Sequence, residues 1–345
     1  MKKLLSLFMV AVLTLVGCSQ EKEGAKETIK VGFVSDVAGI NDGSFSELTW
    51  DGIQQFAEIN KDVEIQYVTP KDTSTAELVN NIDNLVMSGN QIVVASGFAF
   101  QEAIEKASVV YPNIDFVLID GEVQADNVAS IKFAEHEAGF LAGVVSALET
   151  KTGKVAYMGG IEVPAVVAYG VGFQYGVEYA KENLGANAEI VDYVYSGTFT
   201  DFNVGQTLSA GMFDKGVDVV MATAGVATQG AIAEAKQRGD VYIVGCDSDQ
   251  YADGIKEDGK SVVLTSAMKH IDVAVQEVLT QWLDDKFPGG DTLVMNGATN
   301  GVGLPNENPN LTEETKIQLE KVKALMKQGE IKVPSTQEEL DEYLK

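Results

Sequence analysis

The chain has 345 residues, 45% of them hydrophobic, and a formal charge of −26. That length holds enough apolar residues for two lobes. The acidic excess argues against anionic partners, nucleic acid and anionic headgroups above all.

Met1-Lys2-Lys3 precedes an apolar run from Leu4 to Val16 and then Gly17-Cys18. A basic start and a short apolar core predict a secretory signal peptide over residues 1–17. The run is too short to span a bilayer, which takes about 20 apolar residues. Leu15-Val16-Gly17-Cys18 resembles a bacterial lipobox, in which the Cys18 thiol carries a diacylglyceryl group. Losing Lys2 and Lys3 with the signal takes the charge from −26 to about −28. Residues 18–27 are polar and aperiodic and read as a solvated tether. The expected product is anchored to a cell membrane on its extracytoplasmic face without crossing it. Cys246 is the one other cysteine, so a lipidated Cys18 leaves no disulfide, and stability must come from a packed core.

From residue 28 onward, short Val- and Ile-rich runs alternate with amphipathic stretches. Strands are predicted at Ile29–Ser35, Glu64–Val68, Ile92–Ala95, Phe116–Ile119 and Ala129–Phe133, and again at Lys154–Met158, Ile190–Tyr195, Val217–Ala222, Val241–Gly245 and Ser261–Thr265. Continuous apolar character suits parallel strands covered on both faces. Helical spacing runs through Leu48–Asn60, Thr75–Ser88, Glu135–Glu149, Val166–Leu184, Val204–Lys215, Ala227–Arg238 and Ile271–Asp285. Ser74 or Thr75 is a candidate N-cap for the second of these. The alternation predicts an α/β fold of right-handed βαβ units. About ten strands suit two five- or six-stranded sheets. The expected division is 28–131 plus 268–288 for a first lobe, 132–267 plus 289–330 for a second, and 331–345 as a C-terminal tail.

Ligands in open α/β sheets bind beyond the carboxyl ends of the strands. Those ends carry Asp36 and the loop Val37–Ser46, then Asp120, the run Ser196–Asp201, Thr223-Ala224-Gly225, Cys246–Asp249 and Ser266–Lys269. Asp after a strand is most often a turn-former or helix cap, and Asp201 and Asp249 are read that way. For Asp36, Asp120 and Asp247 the capping and ligand-binding readings stay open. Phe45 and Phe199 are either packed inward or in the cleft. Lys269 is either a snorkelling surface lysine or a cleft donor. Cys246 reads as a small apolar residue, and Gly170-x-Gly172 as helix packing rather than a dinucleotide fingerprint.

The run Gly39-Ile40-Asn41-Asp42-Gly43-Ser44-Phe45-Ser46 is similar to the Asn-Asp-Lys-Ser-Phe-Asn loop of the basic membrane protein family, the purine-nucleoside-receptor-like lipoproteins of ABC importers. Trp50-Asp51-Gly52, Gly172–Gly176, Gly216–Val220, Gly245–Asp249 and Ser266–Lys269 extend the resemblance over nearly the whole chain, in order. The resemblance implies a type I periplasmic-binding-protein fold with three hinge crossings. It implies a purine held between two rings, Phe45 and a second drawn from Phe199, Tyr169 or Phe173. It also implies polar contacts from Asp36, Asn41, Asp42, Asp120, Asp247 and Lys269, with close backbone approach at Gly225. Gly43 departs from the family's usual Lys or Arg and is expected on the rim. The implied partners are a small-molecule nucleoside and an ABC permease, with no cofactor, no nucleic acid and a monomeric receptor.

Other readings differ in chemistry. A sugar or quorum-signal receptor of the same fold would also use rings and Asp residues. A nucleoside-cleaving enzyme would need a carboxylate cluster for a metal, or a positioned acid and base. The sequence has two histidines and shows no Gly-x-x-x-x-Gly-Lys-Ser/Thr loop or Cys/His zinc spacing. No enzymatic role is expected.

Overall fold

The computed structural model describes residues 28–345. The signal segment, Cys18 and the tether lie outside the described residues. Twelve strands form two six-stranded sheets among those residues. The first contains β1 (Ile29–Val34), β2 (Val63–Val68), β3 (Ile92–Ser96), β4 (Asp115–Ile119), β5 (Val128–Phe133) and β11 (Thr292–Met295). Its order is β11-β5-β4-β3-β1-β2 and every pairing is parallel. The second contains β6 (Lys154–Gly159), β7 (Glu189–Tyr195), β8 (Val219–Thr223), β9 (Tyr242–Asp247), β10 (Val263–Lys269) and β12 (Val302–Gly303), in the order β12-β10-β9-β8-β6-β7. One winding is thus used twice, with β12 antiparallel where β11 is parallel.

Helices cover both faces of each sheet, which is why central strands such as β3 and β8 are buried at every position. Around the first sheet lie α1 (Phe45–Ile59), α2 (Thr75–Met87), α3 (Gln101–Val110) and α8 (Ile271–Leu283). Ser74 caps α2 by accepting from the Glu77 amide. Around the second lie α4 (Glu135–Glu149), α5 (Pro164–Leu184), α6 (Phe202–Asp214), α7 (Val226–Arg238), α9 (Glu313–Lys327) and α10 (Gln337–Tyr343). One continuous core runs from α1 and α8 to α4 and α5, joining the lobes behind the cleft.

Three crossings connect the lobes: Phe133–Glu135, Lys269–Ile271 and Met295–Val302. They are bonded side by side. The Ala134 amide donates to the Met295 carbonyl at 2.8 Å and the His270 amide to the Gly301 carbonyl at 2.9 Å. Ala134 and His270 share one backbone conformation, φ −87° with ψ 63° and 64°. The expected boundaries need correction here. β5 runs to Phe133, two residues past the expected end of the first lobe. β11 belongs to the first sheet, whereas the expected division puts residues 289–330 on the second lobe. The third crossing therefore follows Met295. The tail is no loose end either: α10 docks on α5 through buried Leu340 and a Tyr343 ring edge-on to Tyr175.

Helices α4 and α5 approach closely because glycines line their seam. A Cβ on Gly139, Gly143, Gly172 or Gly176 would stand 2.0–2.2 Å from a carbonyl oxygen of the facing helix. Gly172 is thus a packing glycine, as its sequence context suggested. Gly172→Ala should destabilise the protein by about 2 kcal/mol or more through overpacking, measured as a fall in denaturation midpoint at unchanged m-value.

Candidate functional site

The carboxyl ends of both sheets open on one interlobe cleft of about 710 Å³. Asp36, Asp42, Phe45, Asp120, Tyr169, Phe199, Gly225, Asp247 and Lys269 all line it. Asn41 does not: it is exposed and outside the cleft lining.

The first lobe contributes the loop between β1 and α1. Asp42 is buried and spends both carboxylate oxygens on backbone amides, Oδ1 on Ser44 and Glu47 and Oδ2 on Ser46. It therefore holds the mouth of α1 rather than offering an acceptor to a ligand, and α1 begins at Phe45, with that ring in the cleft. Asp36 accepts the Ala38 amide at 2.7 Å. Burial, with the Asp42 charge adding to it, pushes the Asp36 carboxyl up to about 7. Burial also raises Asp42, against its three amide donors.

The loop also meets the second lobe. Ser44 Oγ donates to Asp247 Oδ2 at 3.2 Å, and Ser248 Oγ donates to the Gly43 carbonyl at 2.8 Å. Gly43 has φ +71°, and a Cβ there would stand 3.0 Å from Gln229 Nε2. Gly43 thus lies on the contact between the lobes, outside the cleft lining.

Asp120 and Asp247 occupy equivalent places, directly after β4 and at the end of β9. Both take the left-handed conformation, φ +57° and +62°, which is uncommon for a non-glycine residue. Asp247 is satisfied by protein donors: Tyr169 Oη reaches Oδ1 at 3.1 Å and Ser44 reaches Oδ2. Burial raises its carboxyl, and Lys269 opposes the shift. Asp120 is satisfied on one oxygen alone. Oδ2 pairs with Lys269 Nζ at 2.6 Å, while Oδ1 is buried without a hydrogen-bond partner among the described residues. An orphaned buried acceptor costs about 1–3 kcal/mol, so Oδ1 is the site's clearest demand for a donor.

Lys269 is neither a surface lysine nor a free donor. It is buried, its ammonium 2.6 Å from Asp120 and 2.9 Å from Glu135, with the rings of Phe45, Phe133 and Tyr169 centred 5.2–5.6 Å away. Burial disfavours its charge, but Asp120, Glu135 and Asp247 outweigh burial and raise it. Glu135 went unnoticed in the sequence because it is buried at a helix start and off the cleft lining. Its companionship with Lys269 is a long-range contact with no local signature.

The second ring narrows too. Phe173 is fully buried against Tyr157 and outside the cleft lining. Tyr169 is 3% exposed, its hydroxyl shared between Asp247 and the Ala267 carbonyl. Phe199 is half-buried, fitted where Gly160 has no side chain: a Cβ there would meet the ring at 2.2 Å. Gly225, φ +54°, makes its close approach to the Phe199 carbonyl, 2.9 Å from a built Cβ. Other wall residues were not singled out in the sequence, among them Phe98, Phe100, Ile161 and Val166. Asp201 and Asp249 accept nearby amides as cap and turn-former, as expected. Cys246 is buried, and burial holds its thiol well above the ordinary range.

The family model for PnrA-like ABC transporter substrate-binding proteins matches residues 29–337. The chain belongs to this family. Among its relatives, the CD4+ T-cell-stimulating antigen of Listeria monocytogenes is 31% identical, over 96% of this chain and 97% of that one. The ABC transporter nucleoside-binding protein BmpA of Lactococcus lactis is also 31% identical, with the same coverage. A solute-binding protein of an ABC transporter system from Aeropyrum pernix K1 superposes with a TM-score of 0.79 at 26% identity, covering 92% of this chain and 96% of that one. A second, from Conexibacter woesei, gives 0.68 at 22% and supports the fold alone. The fold is thus the two-lobed type I periplasmic-binding arrangement, and the PnrA-like chain is an ABC-transporter substrate-binding protein, from a family of extracytoplasmic binders rather than enzymes. No helix among the described residues is long and apolar enough to cross a membrane.

The raised Asp36 carboxyl has a consequence for stability. The folded state keeps the proton that the unfolded chain releases near 3.8, so stability falls as pH rises from about 4 to about 7 and the loss is complete above that. Asp36→Asn, which keeps the acceptor for Ala38, should remove this contribution. Melting temperature against pH should then run flatter between 4 and 7, with the variant gaining on the wild type above pH 7.

Proposed function

We propose that this substrate-binding protein captures a nucleoside in the interlobe cleft, held between Phe45 and Phe199, and hands it to an ABC permease. A lipid on Cys18 would hold the receptor, as a monomer, on the outer face of the cell membrane. The observation that carries the ligand class is the pair of half-buried rings, one from each lobe, beside the unpartnered Asp120 Oδ1. Base–aromatic stacking is worth about 1–3 kcal/mol per base, and every nucleoside offers hydroxyl or amine donors to a carboxylate, which only accepts. The name of the Lactococcus relative supports the same class. Asp36, Asp42, Asp72, Asp120 and Asp247 line the cleft against Lys71 and Lys269. This excess of carboxylates favours a neutral nucleoside over its phosphates.

A thermal-shift panel of nucleosides, nucleoside monophosphates, free bases and sugars tests the proposal on protein lacking residues 1–18. A purine nucleoside at 100 times its Kd should add about 2.7 kcal/mol to stability, and monophosphates should add nothing. Phe45→Ala and Phe199→Ala should each weaken binding by about 1–3 kcal/mol. A shift with sugars alone would keep the fold and reject the nucleoside.

A further inference from the structure

The two halves of the molecule repeat the same hinge turn with different residues. Phe133-Ala134-Glu135 leads from β5 into α4, and Lys269-His270-Ile271 leads from β10 into α8, with matching dihedrals at the middle residue. In α8 the first helical residue is Ile271, fully buried; in α4 the same place holds Glu135, also buried. The last strand residue is Phe133 in one half and Lys269 in the other. The turn therefore does not require a charge at either position, since each charged residue has an apolar counterpart in the other copy, Ile271 for Glu135 and Phe133 for Lys269. A buried ion pair is weak support for stability, because desolvation consumes most of its Coulombic gain. The Glu135–Lys269 pair calls for another reason to exist.

Geometry supplies one. The ammonium has three N–H groups and donates to two carboxylates, Asp120 Oδ2 at 2.6 Å and Glu135 Oε1 at 2.9 Å. Phe45, Phe133 and Tyr169 wall it in. Asp247 adds its field, but both its oxygens are occupied by Ser44 and Tyr169. Glu135 is thus the counterweight that draws the ammonium toward the hinge and away from Asp120 Oδ1. Without that charge, Asp120 is the nearest available anion, and the ammonium can bridge both its oxygens.

We propose that Glu135 is a positioning residue of the ligand site: it holds Lys269 from the hinge side, so that Asp120 Oδ1 stays free to accept from the ligand. The proposal rests on the solute-binding reading of the cleft, although Glu135 itself lies outside the cleft lining.

Two readouts test it on protein lacking residues 1–18: lysine side-chain 15N spectra without ligand, and calorimetry with guanosine, adenosine and inosine. The Lys269 ammonium, identified by its loss in Lys269→Met, should shift in Glu135→Gln. Affinity for whichever nucleoside the wild type binds should fall at least tenfold in Glu135→Gln, and Glu135→Asp, which keeps the charge, should recover part of it. An unmoved Lys269 signal in Glu135→Gln overturns the proposal, as does wild-type affinity in a folded Glu135→Gln protein, the result a purely structural role would give. If the wild type binds no nucleoside, the ligand reading fails by itself and the lysine spectrum still decides the role of Glu135. Should Glu135→Gln fail to fold, Glu135→Asp takes its place: a displaced Lys269 signal supports the proposal and a superimposable one overturns it.

Discussion

One buried ammonium organises the cleft. Lys269 ends β10, the strand that feeds the second hinge crossing, and its charge lies among Asp120, Asp247 and Glu135. Burying one cation costs several kcal/mol, and burying three carboxylates costs more. The cluster survives because each group is held by others: Lys269 by two carboxylates and three rings, Asp247 by Ser44 and Tyr169. The ammonium also lies over the Phe45 ring, 5.3 Å from its centre, so the same charge that pairs with Asp120 steadies the first-lobe ring.

The duplicated winding explains how this arrangement can be both rigid and hinged. Equivalent strand ends place Asp120 and Asp247 in the same left-handed conformation, one from each lobe. The three crossings are tied by backbone hydrogen bonds, and the Lys269–Glu135 pair links the first crossing to the second. The ion pair therefore lies directly at the hinge, with Asp120 at the strand end beside it.

The architecture was legible in the sequence because continuous Val and Ile runs between helical periods have one economical meaning. All ten expected strands are found, within a few residues at their ends. What escaped was weakly patterned. β11 is four residues of TLVM with no fully buried position, so its place on the first sheet could not be read from apolarity. α3 and α9 were not singled out, and α9, with low mean hydropathy, is held by a few buried residues such as Leu319 and Val322. In the site, strand-end reasoning found the aspartates, but Asp42 and Asn41 show its limit. The first is consumed by capping and the second faces solvent, and neither fate differs from ligand binding at the level of residue type. Glu135 was missed for the opposite reason: its partner is 134 positions away.

The departure at Gly43 bears on how the lobes close. A lysine or arginine there would present a long charged side chain to the facing lobe. Gly43 instead offers its backbone carbonyl to Ser248, and its neighbour Ser44 offers a hydroxyl to Asp247. A neutral hydrogen bond contributes about 0.5–1.5 kcal/mol net, and one to a charged group about 1.5–3. A latch of that size favours closure by a few kcal/mol at most, before the cost of ordering the loop. A solute bound between the lobes would then have to supply much of any closing free energy. Such a balance lets occupancy, rather than the latch, set the closed population.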